Sequence, residues 1–437
     1  MITRIQALNY RSLRWVDCPI SRFEVLVGPN SSGKSSFLDV IALLSDILKV
    51  GPVRAIYGDP RLGVIQRASD PSQLCWMRTG SRFELAVESS IPDDLRERFK
   101  GSHDSNQFET CRYEVAVGVG GNGEPVSLLS EALWLVPPDD GNRATPQDPA
   151  QTDLWQAQDD KGIAARPDTI VQATKSRSAR GWRKIVSKVE SGNDYFLAET
   201  SRWNNLFKLG PARSALANLP EDEERFPVAT WFKRELMDGV QRIVLASEAI
   251  RRPSPPGLSP GLLPDGSNLP WIVDSLPAGL RQEWVTHLQT ALPDLCDISA
   301  VEMPDNRHRY LQVEYAGGLK VPSWLVSDGT LRLLALTLLA YVPGLKGVYL
   351  IEEPENGIHP KAVETVFEAL SQVNMAQVLC ATHSPVLVSI AEARRLLCFT
   401  RDTENGTRIV RGSEHPRLRE WKGEVDLGTY FASGVLE

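Results

Sequence analysis

Gly28-Pro29-Asn30-Ser31-Ser32-Gly33-Lys34-Ser35, followed by Ser36, reads G-P-N-S-S-G-K-S-S. It has the Walker A spacing of a phosphate-binding loop. Phe23 to Val27 before it is short and apolar, the pattern of a buried strand. Ser36 to Val50 after it carries apolar residues at Phe37, Val40, Ile41, Leu44, Ile47 and Leu48, which predicts a helix. A strand, this loop and a helix in succession are the context in which the motif has physical meaning. Gly28 and Gly33 let the backbone turn tightly and approach a ligand. Successive N–H groups line an anion nest, and the helix adds its unpaired amides and the positive end of its dipole. Lys34 is expected to reach the β and γ phosphates of a nucleotide, and the Ser35 hydroxyl to hold Mg²⁺.

Working outward, Gly347 to Ile351 forms a second apolar run, and it ends in Glu352-Glu353-Pro354. A buried strand closing on two acids is a Walker B pattern. Glu352 is the metal-side acid, and Glu353 is placed to orient or deprotonate the attacking water. A third apolar run, Gln377 to Ala381, leads into Thr382-His383-Ser384-Pro385. A histidine at a strand end after Walker B is placed to contact the γ-phosphate or the water. Between these, Ser327-Asp328-Gly329-Thr330 opens an apolar helix running to Tyr341. Ser327 or Asp328 is suited to cap it, and Gly329 keeps the backbone open. Such an N-terminus is either an ordinary cap or a phosphate sensor aimed at the ATP of a partner subunit.

The chain has 437 residues, a formal net charge of -7 and an ordinary globular composition. That length suits two or three domains. No apolar run approaches the roughly 20 residues that span a bilayer, and Met1 to Ile5 does not open a signal peptide. Cys18, Cys75, Cys111, Cys296, Cys380 and Cys398 are scattered without a C-x-x-C pair, so we expect a reducing cytoplasmic setting and no structural zinc.

Taken together, G-P-N-S-S-G-K-S, S-D-G-T-L-R, L-I-E-E-P-E-N-G-I-H-P and A-T-H-S-P resemble the ABC-type ATPase heads of the SMC, RecF and OLD-like group. The nearest resemblance is to the bacterial AAA-type ATPases common in anti-phage defence operons. Ile5 to Leu13, Leu263 to Leu269 and Leu427 to Leu436 also look like segments of that group. The resemblance implies an α/β fold: a two-lobed P-loop head with a mixed sheet and a largely helical or irregular insertion, binding ATP and Mg²⁺ between two copies. It implies Walker A at Gly28 to Ser35, with Arg11 also near the nucleotide beside Tyr10. It implies Ser327, Asp328, Gly329 and Thr330 as the signature loop, and Asn356 to His359 as the D-loop. Glu353 and His383 take the catalytic roles, and Glu352 with Ser35 the metal. The chain departs from the commoner pattern in two places. The signature is S-D-G-T, and Glu352 stands where an aspartate is usual. For a Q-loop glutamine, neither Gln66 nor Gln107 is convincing.

Three segments are expected: an ATPase lobe over 1–135, an insertion over 136–290, and a second lobe over 291–437. Pro137 to Pro167 is polar and rich in Pro, Asp, Gln and Gly, a long irregular excursion. Helices are expected around Asp194 to Leu209 and Pro227 to Glu248. No internal repeat and no long heptad run is present, so an SMC-type coiled-coil arm is not expected. Lys175 to Lys188 carries six basic residues with Trp182 among them and no acid, either a nucleic-acid contact or a solvated or partner-binding surface. The run Glu221 to Glu224 reads as solvated loop.

Three functions compete. The first is an ATP-gated homodimer switching a separate effector such as a nuclease, since no Asp-x-Asp cluster follows His383. The second is a RecF-like DNA-binding ATPase, and the third a nucleotide-regulated scaffold with negligible turnover.

Overall fold

A computed structural model describes residues 1–97, 108–120, 125–138, 166–172, 181–190, 194–201, 203–257, 261–402, 404–419 and 427–432. Most of the expected polar excursion, Gln107, and Lys175, Arg177 and Arg180 lie outside these residues.

The chain divides into two compact units, each assembled from three stretches of sequence rather than from consecutive thirds. The first comprises Met1–Ser21, Pro29–Val240 and Cys398–Glu420. The second comprises Arg22–Gly28, Gln241–Leu397 and Trp421–Glu437.

The first unit is built on an eight-stranded sheet. Its order is Leu13–Pro19, Ile2–Tyr10, Arg82–Ser90, Thr110–Gly118, Ser127–Val136, Arg183–Val189, Asp194–Leu197 and Asn204–Phe207. Every neighbouring pair is antiparallel. Most of its central positions are buried, so its charges must be paired. Arg112 is sandwiched between Glu114 at 2.9 Å and Glu88 at 3.0 Å, and the Trp134 Nε1–H donates to Glu114. Glu84 accepts the Thr169 hydroxyl and the Ile170 amide, each at 2.8 Å, which straps 166–172 to the sheet.

The long helix Lys34–Tyr57 lies against this sheet and is buried over most of its length. It breaks at Gly51, whose φ is +80°, immediately before Pro52. Proline lacks the amide that would continue the ladder, and glycine tolerates the left-handed turn. Phe37 meets Phe399 edge to face at 5.5 Å, tying the first turns of the helix to Cys398–Glu420.

The stretch Asp194 to Leu209 forms two strands, not the expected helix. Tyr195 and Phe196 fit a pleated, half-buried surface, and the strand Arg183–Val189 offers them an open edge. Asp194 fixes the end of the pair, accepting the Leu209 amide at 2.8 Å and facing Lys188. The other expected helix is real but interrupted, as Pro227–Met237, a strand Val240–Ile243 and a short helix Ser247–Arg251.

The second unit contains the parallel strands Val348–Glu352, Gln377–Ala381 and Phe23–Val27, hydrogen-bonded in that order. Strand Val240–Ile243 pairs with the outer side of Val348–Glu352. A separate antiparallel sheet, Leu295–Glu302, Arg309–Tyr315 and Leu319–Pro322, packs against helices Leu269–Ser275 and Ala278–Leu288. It leads directly into the expected helix after Ser327, which runs over Asp328–Leu338. No helix among the described residues is long and apolar enough to cross a membrane.

Candidate functional site

The phosphate loop of the first unit begins the site. Ser31 and Gly33 both have positive φ, +62° and +109°, so the loop alternates hand as an anion nest requires. Helix Lys34–Tyr57 starts without a side-chain cap and without an acid in its first turn. Lys34 is buried, and its ammonium folds back onto the Pro29 carbonyl at 2.9 Å. Pro29, Asn30, Ser31 and Ser35 lie at the partly or fully exposed rim, whereas Ser32 is buried and Ser36 half-buried.

Two segments distant in sequence brace this loop. The Thr407 hydroxyl donates to the Ser32 carbonyl at 2.9 Å, and the Thr407 amide donates to the Ser12 carbonyl at 3.0 Å. The Ser12 hydroxyl reaches that of Ser36 at 3.2 Å. The fit leaves no room at Gly33: a Cβ there would stand 2.2 Å from Thr407 Oγ1 and 2.8 Å from Ser12 Oγ.

Behind the loop sits a buried ionic cluster. Asp39, on the helix, accepts the Tyr10 hydroxyl at 2.6 Å and Arg67 Nε at 2.8 Å, with Arg11 at 3.1 Å. Arg67 also holds Asp46 at 2.7 Å and the Ala55 carbonyl. Burial pushes the Asp39 carboxyl up, but Arg67 and Arg11 more than offset it and hold it below the usual carboxylate range. Burial pushes the Tyr10 hydroxyl well up. Tyr10 is therefore core, and the Arg11 guanidinium is engaged with Asp39, from a backbone at φ +50°.

In the second unit, Leu26, Ala381 and Glu352 stand in register across three parallel strands. Their C-terminal ends bring Gly28, Glu352–Glu353 and Thr382–His383 to one edge, where parallel sheets hold ligands. Glu353 has left-handed backbone, φ +49°, and an exposed side chain; its amide donates to the Ala381 carbonyl at 2.7 Å. A non-glycine residue in this region costs about 1–3 kcal/mol, a strain that clusters at functional sites. Glu355 secures the histidine loop. Its Oε1 accepts the Thr382 hydroxyl at 2.7 Å and the His383 amide at 3.1 Å. Glu352 is held by Arg242 of the neighbouring strand, Nη2 to Oε1 2.5 Å.

The Ser327 hydroxyl, not the Asp328 carboxylate, caps the helix that follows, accepting the Thr330 amide at 3.2 Å. Asp328 pairs with Arg251 instead. Gly329 is pressed against the expected D-loop, where a Cβ would lie 2.5 Å from the Gly357 carbonyl oxygen. Arg332 adds a bond to the Asn356 carbonyl at 3.3 Å. His359 caps the next helix, Pro360–Ser371, through Nδ1.

A family described as "AAA domain, putative AbiEii toxin, Type IV TA system" matches residues 165–389, just over half of the chain. The chain belongs to this AAA-domain family. The matched stretch contains Ser327–Thr330, Glu352, Glu353 and His383, while the phosphate loop at Gly28 lies outside it. No curated protein matches the chain. Among solved structures, an SMC head bound to the C-winged helix domain of ScpA shares 14% identity. It superposes with a TM-score of 0.50 over 94% of this chain and 97% of its own. The SMC head domain from Thermotoga maritima aligns over 94% and 98% of the two chains, at 11% identity and a TM-score of 0.40. An SMC head with an extended coiled coil, bound to the C-terminal domain of ScpA derived from Pyrococcus furiosus, aligns over 94% and 95% at 13% identity and 0.44. The first of these likenesses establishes that this AAA domain has the α/β fold of an SMC-type head.

The residues present fit a nucleotide and its metal. Ser35 in the first unit and Glu352 in the second each offer the kind of hard oxygen donor that Mg²⁺ prefers. Ser12, Thr407, Asp39, Arg67, Glu355 and Arg242 escaped the sequence reading. Only Glu355 had a legible signal, as the third acid of E-E-P-E. Gln66 is exposed, with Nε2 turned to the Ala68 carbonyl, so no Q-loop role follows from it.

Among the described residues of the basic stretch, Arg183, Lys184 and Lys188 are engaged within the first unit. Arg183 donates to the Ala198 and Ser201 carbonyls, and Lys188 to those of Leu209 and Gly210. Lys184 lies over the Trp134 ring, against which Trp182 also packs.

Proposed function

We propose that the chain is an ATP-binding and ATP-hydrolysing head that dimerises on ATP and switches a separate effector protein, such as a nuclease. The observation that carries this reading is the signature helix. Ser327 and Asp328 open it from an exposed position, and Trp324 and Leu325 just before them are 47% and 71% exposed. A capped helix N-terminus beside exposed apolar side chains suits a surface that a second copy covers.

In this reading Lys34 leaves the Pro29 carbonyl for the β and γ phosphates, and the loop amides hold the oxygens around them. Ser35 of the first unit and Glu352 of the second would each be a donor to the metal, which would neutralise charge on the phosphates. Glu353 orients the attacking water and accepts its proton. His383, fixed through the Glu355 contacts to its loop, bonds to the γ-phosphate or the water. Ser327 and the first amides of its helix serve the nucleotide of the partner copy.

An anti-phage setting rests on the sequence resemblance, and a cytoplasmic one suits six unpaired cysteines. The internal engagement of Arg183, Lys184 and Lys188 removes support from the RecF-like alternative. The test is Glu353→Gln in ATP and Mg²⁺, sized by light scattering. A dimer that forms with ATP and not with ADP is expected, with turnover reduced about 10²-fold or more. A strictly monomeric ATP-loaded variant would refute the reading. Metal-dependent DNA cleavage by the pure chain would refute the separate effector.

A further inference from the structure

Glu352 stands where the resembled group commonly has aspartate, and the structure gives the longer side chain a use. Its carboxylate meets a guanidinium on the next strand, Arg242 Nη2 to Glu352 Oε1 at 2.5 Å. The strands Val240–Ile243 and Val348–Glu352 are hydrogen-bonded neighbours, so the pair is held by the sheet itself. Both side chains remain open to solvent, 36% for Arg242 and 27% for Glu352. A metal ion can therefore reach the same oxygen from water.

We infer that Arg242 is the resident counter-cation of Glu352, which Mg²⁺ must displace, and that it thereby sets the metal concentration at which the head loads nucleotide. The inference rests on Glu352 being the metal acid. A guanidinium is a monovalent, weakly hydrated cation with a planar fork that suits a carboxylate. A partly exposed pair of this kind is weak enough to exchange, and a divalent ion on the same oxygen outcompetes it. Removing the carboxylate's resident partner therefore raises metal affinity by a small, measurable factor. A purely structural pair, stapling one strand to the next, would leave metal affinity alone.

The test uses the full chain and a fluorescent ATP analogue at fixed concentration, titrated with Mg²⁺. The readout is the Mg²⁺ concentration at half-maximal nucleotide binding. Arg242→Gln is expected to lower it about two- to fivefold, the range that a partly exposed ion pair supports. Arg242→Lys should stay near the wild-type value. Should the glutamine variant fail to fold, Arg242→Met keeps the length of the stem and tests the same point. An unchanged or raised half-saturation in the neutral variants overturns the inference. Glu352→Gln is the control for the reading beneath it. If that change leaves the Mg²⁺ dependence untouched, Glu352 is not the metal acid, and the reading fails independently of Arg242.

Discussion

The two halves of the machinery are built on opposite principles. The base of the phosphate loop is packed: Gly33 lies against Thr407 and Ser12, Lys34 is buried, and Asp39 and Arg67 close a saturated ionic cluster behind them. At the strand ends of the second unit the acids are open. Glu353 is exposed on a left-handed backbone, and Glu352 pairs with Arg242 from a partly exposed position. Rigid placement suits the phosphates, whose charge is fixed, because preorganised donors need no reorganisation. In the proposed reading, open acids suit groups that would accept a metal and a proton in turn.

The contrast can be broken from either side. The largest effect is expected at Gly33. Gly33→Ala places a Cβ 2.2 Å from Thr407 Oγ1 on a backbone at φ +109°. ATP affinity should fall by about 100-fold or more, since a strained left-handed residue and an overpacked contact add about 1–3 kcal/mol each. If calorimetry finds near-normal affinity, the loop is not the rigid half we take it to be.

Next comes Asp39→Ala, which leaves Arg67, whose side chain is 1% exposed, with Asp46 as its remaining carboxylate partner. Removing one partner of a buried pair costs about 3–5 kcal/mol, so denaturant midpoints should drop sharply. A loss below about 1 kcal/mol would show that water already solvates the cluster. The Asp39 carboxyl is held below its ordinary range, so its stabilisation is present above the unfolded value and is lost as pH falls through the depressed one.

Glu199 reverses that sign in the same unit. Its carboxylate accepts the Val228 and Ala229 amides at the start of helix Pro227–Met237, at 2.9 and 2.7 Å. Burial nevertheless pushes it up to about 7. A raised carboxyl contributes most below the ordinary carboxylate range, and that contribution is lost as pH rises toward 7. It amounts to about 3 kcal/mol across the window. Urea midpoints of the wild type minus those of Glu199→Gln should therefore decline between pH 5 and pH 8. A flat difference would place Glu199 in wetter surroundings.

The smallest effect is expected in the open half. Glu355→Ala removes the acceptor of the Thr382 hydroxyl and the His383 amide. Turnover should fall about tenfold as His383 loses its bearing, with ATP affinity in EDTA unchanged. Equal losses in both would mean that Glu355 supports the unit as a whole rather than the histidine.

Much of this was legible beforehand where chemistry is local. The strand–loop–helix around Gly28, the acids after Ile351 and the histidine after Ala381 all appear where their periodicity puts them. The stretch from Asp194 misled because its pairing comes from a distant strand edge, and no local pattern distinguishes a short half-buried strand from a helix turn. Asp328 misled as a capping candidate because Arg251, far away in sequence, claims its carboxylate.

The amino-acid order by itself determined which residue types stand at strand ends and helix starts, among them those proposed to bind phosphate and metal, because backbone sterics and periodicity act over a few neighbours. Only the tertiary structure decided what holds them. Thr407 against Ser32, Glu355 against His383 and Arg242 against Glu352 are meetings of single side chains across long stretches of chain or between neighbouring strands. Such meetings depend on how the sheets pair, and sheet pairing is a property of the whole folded chain rather than of any segment.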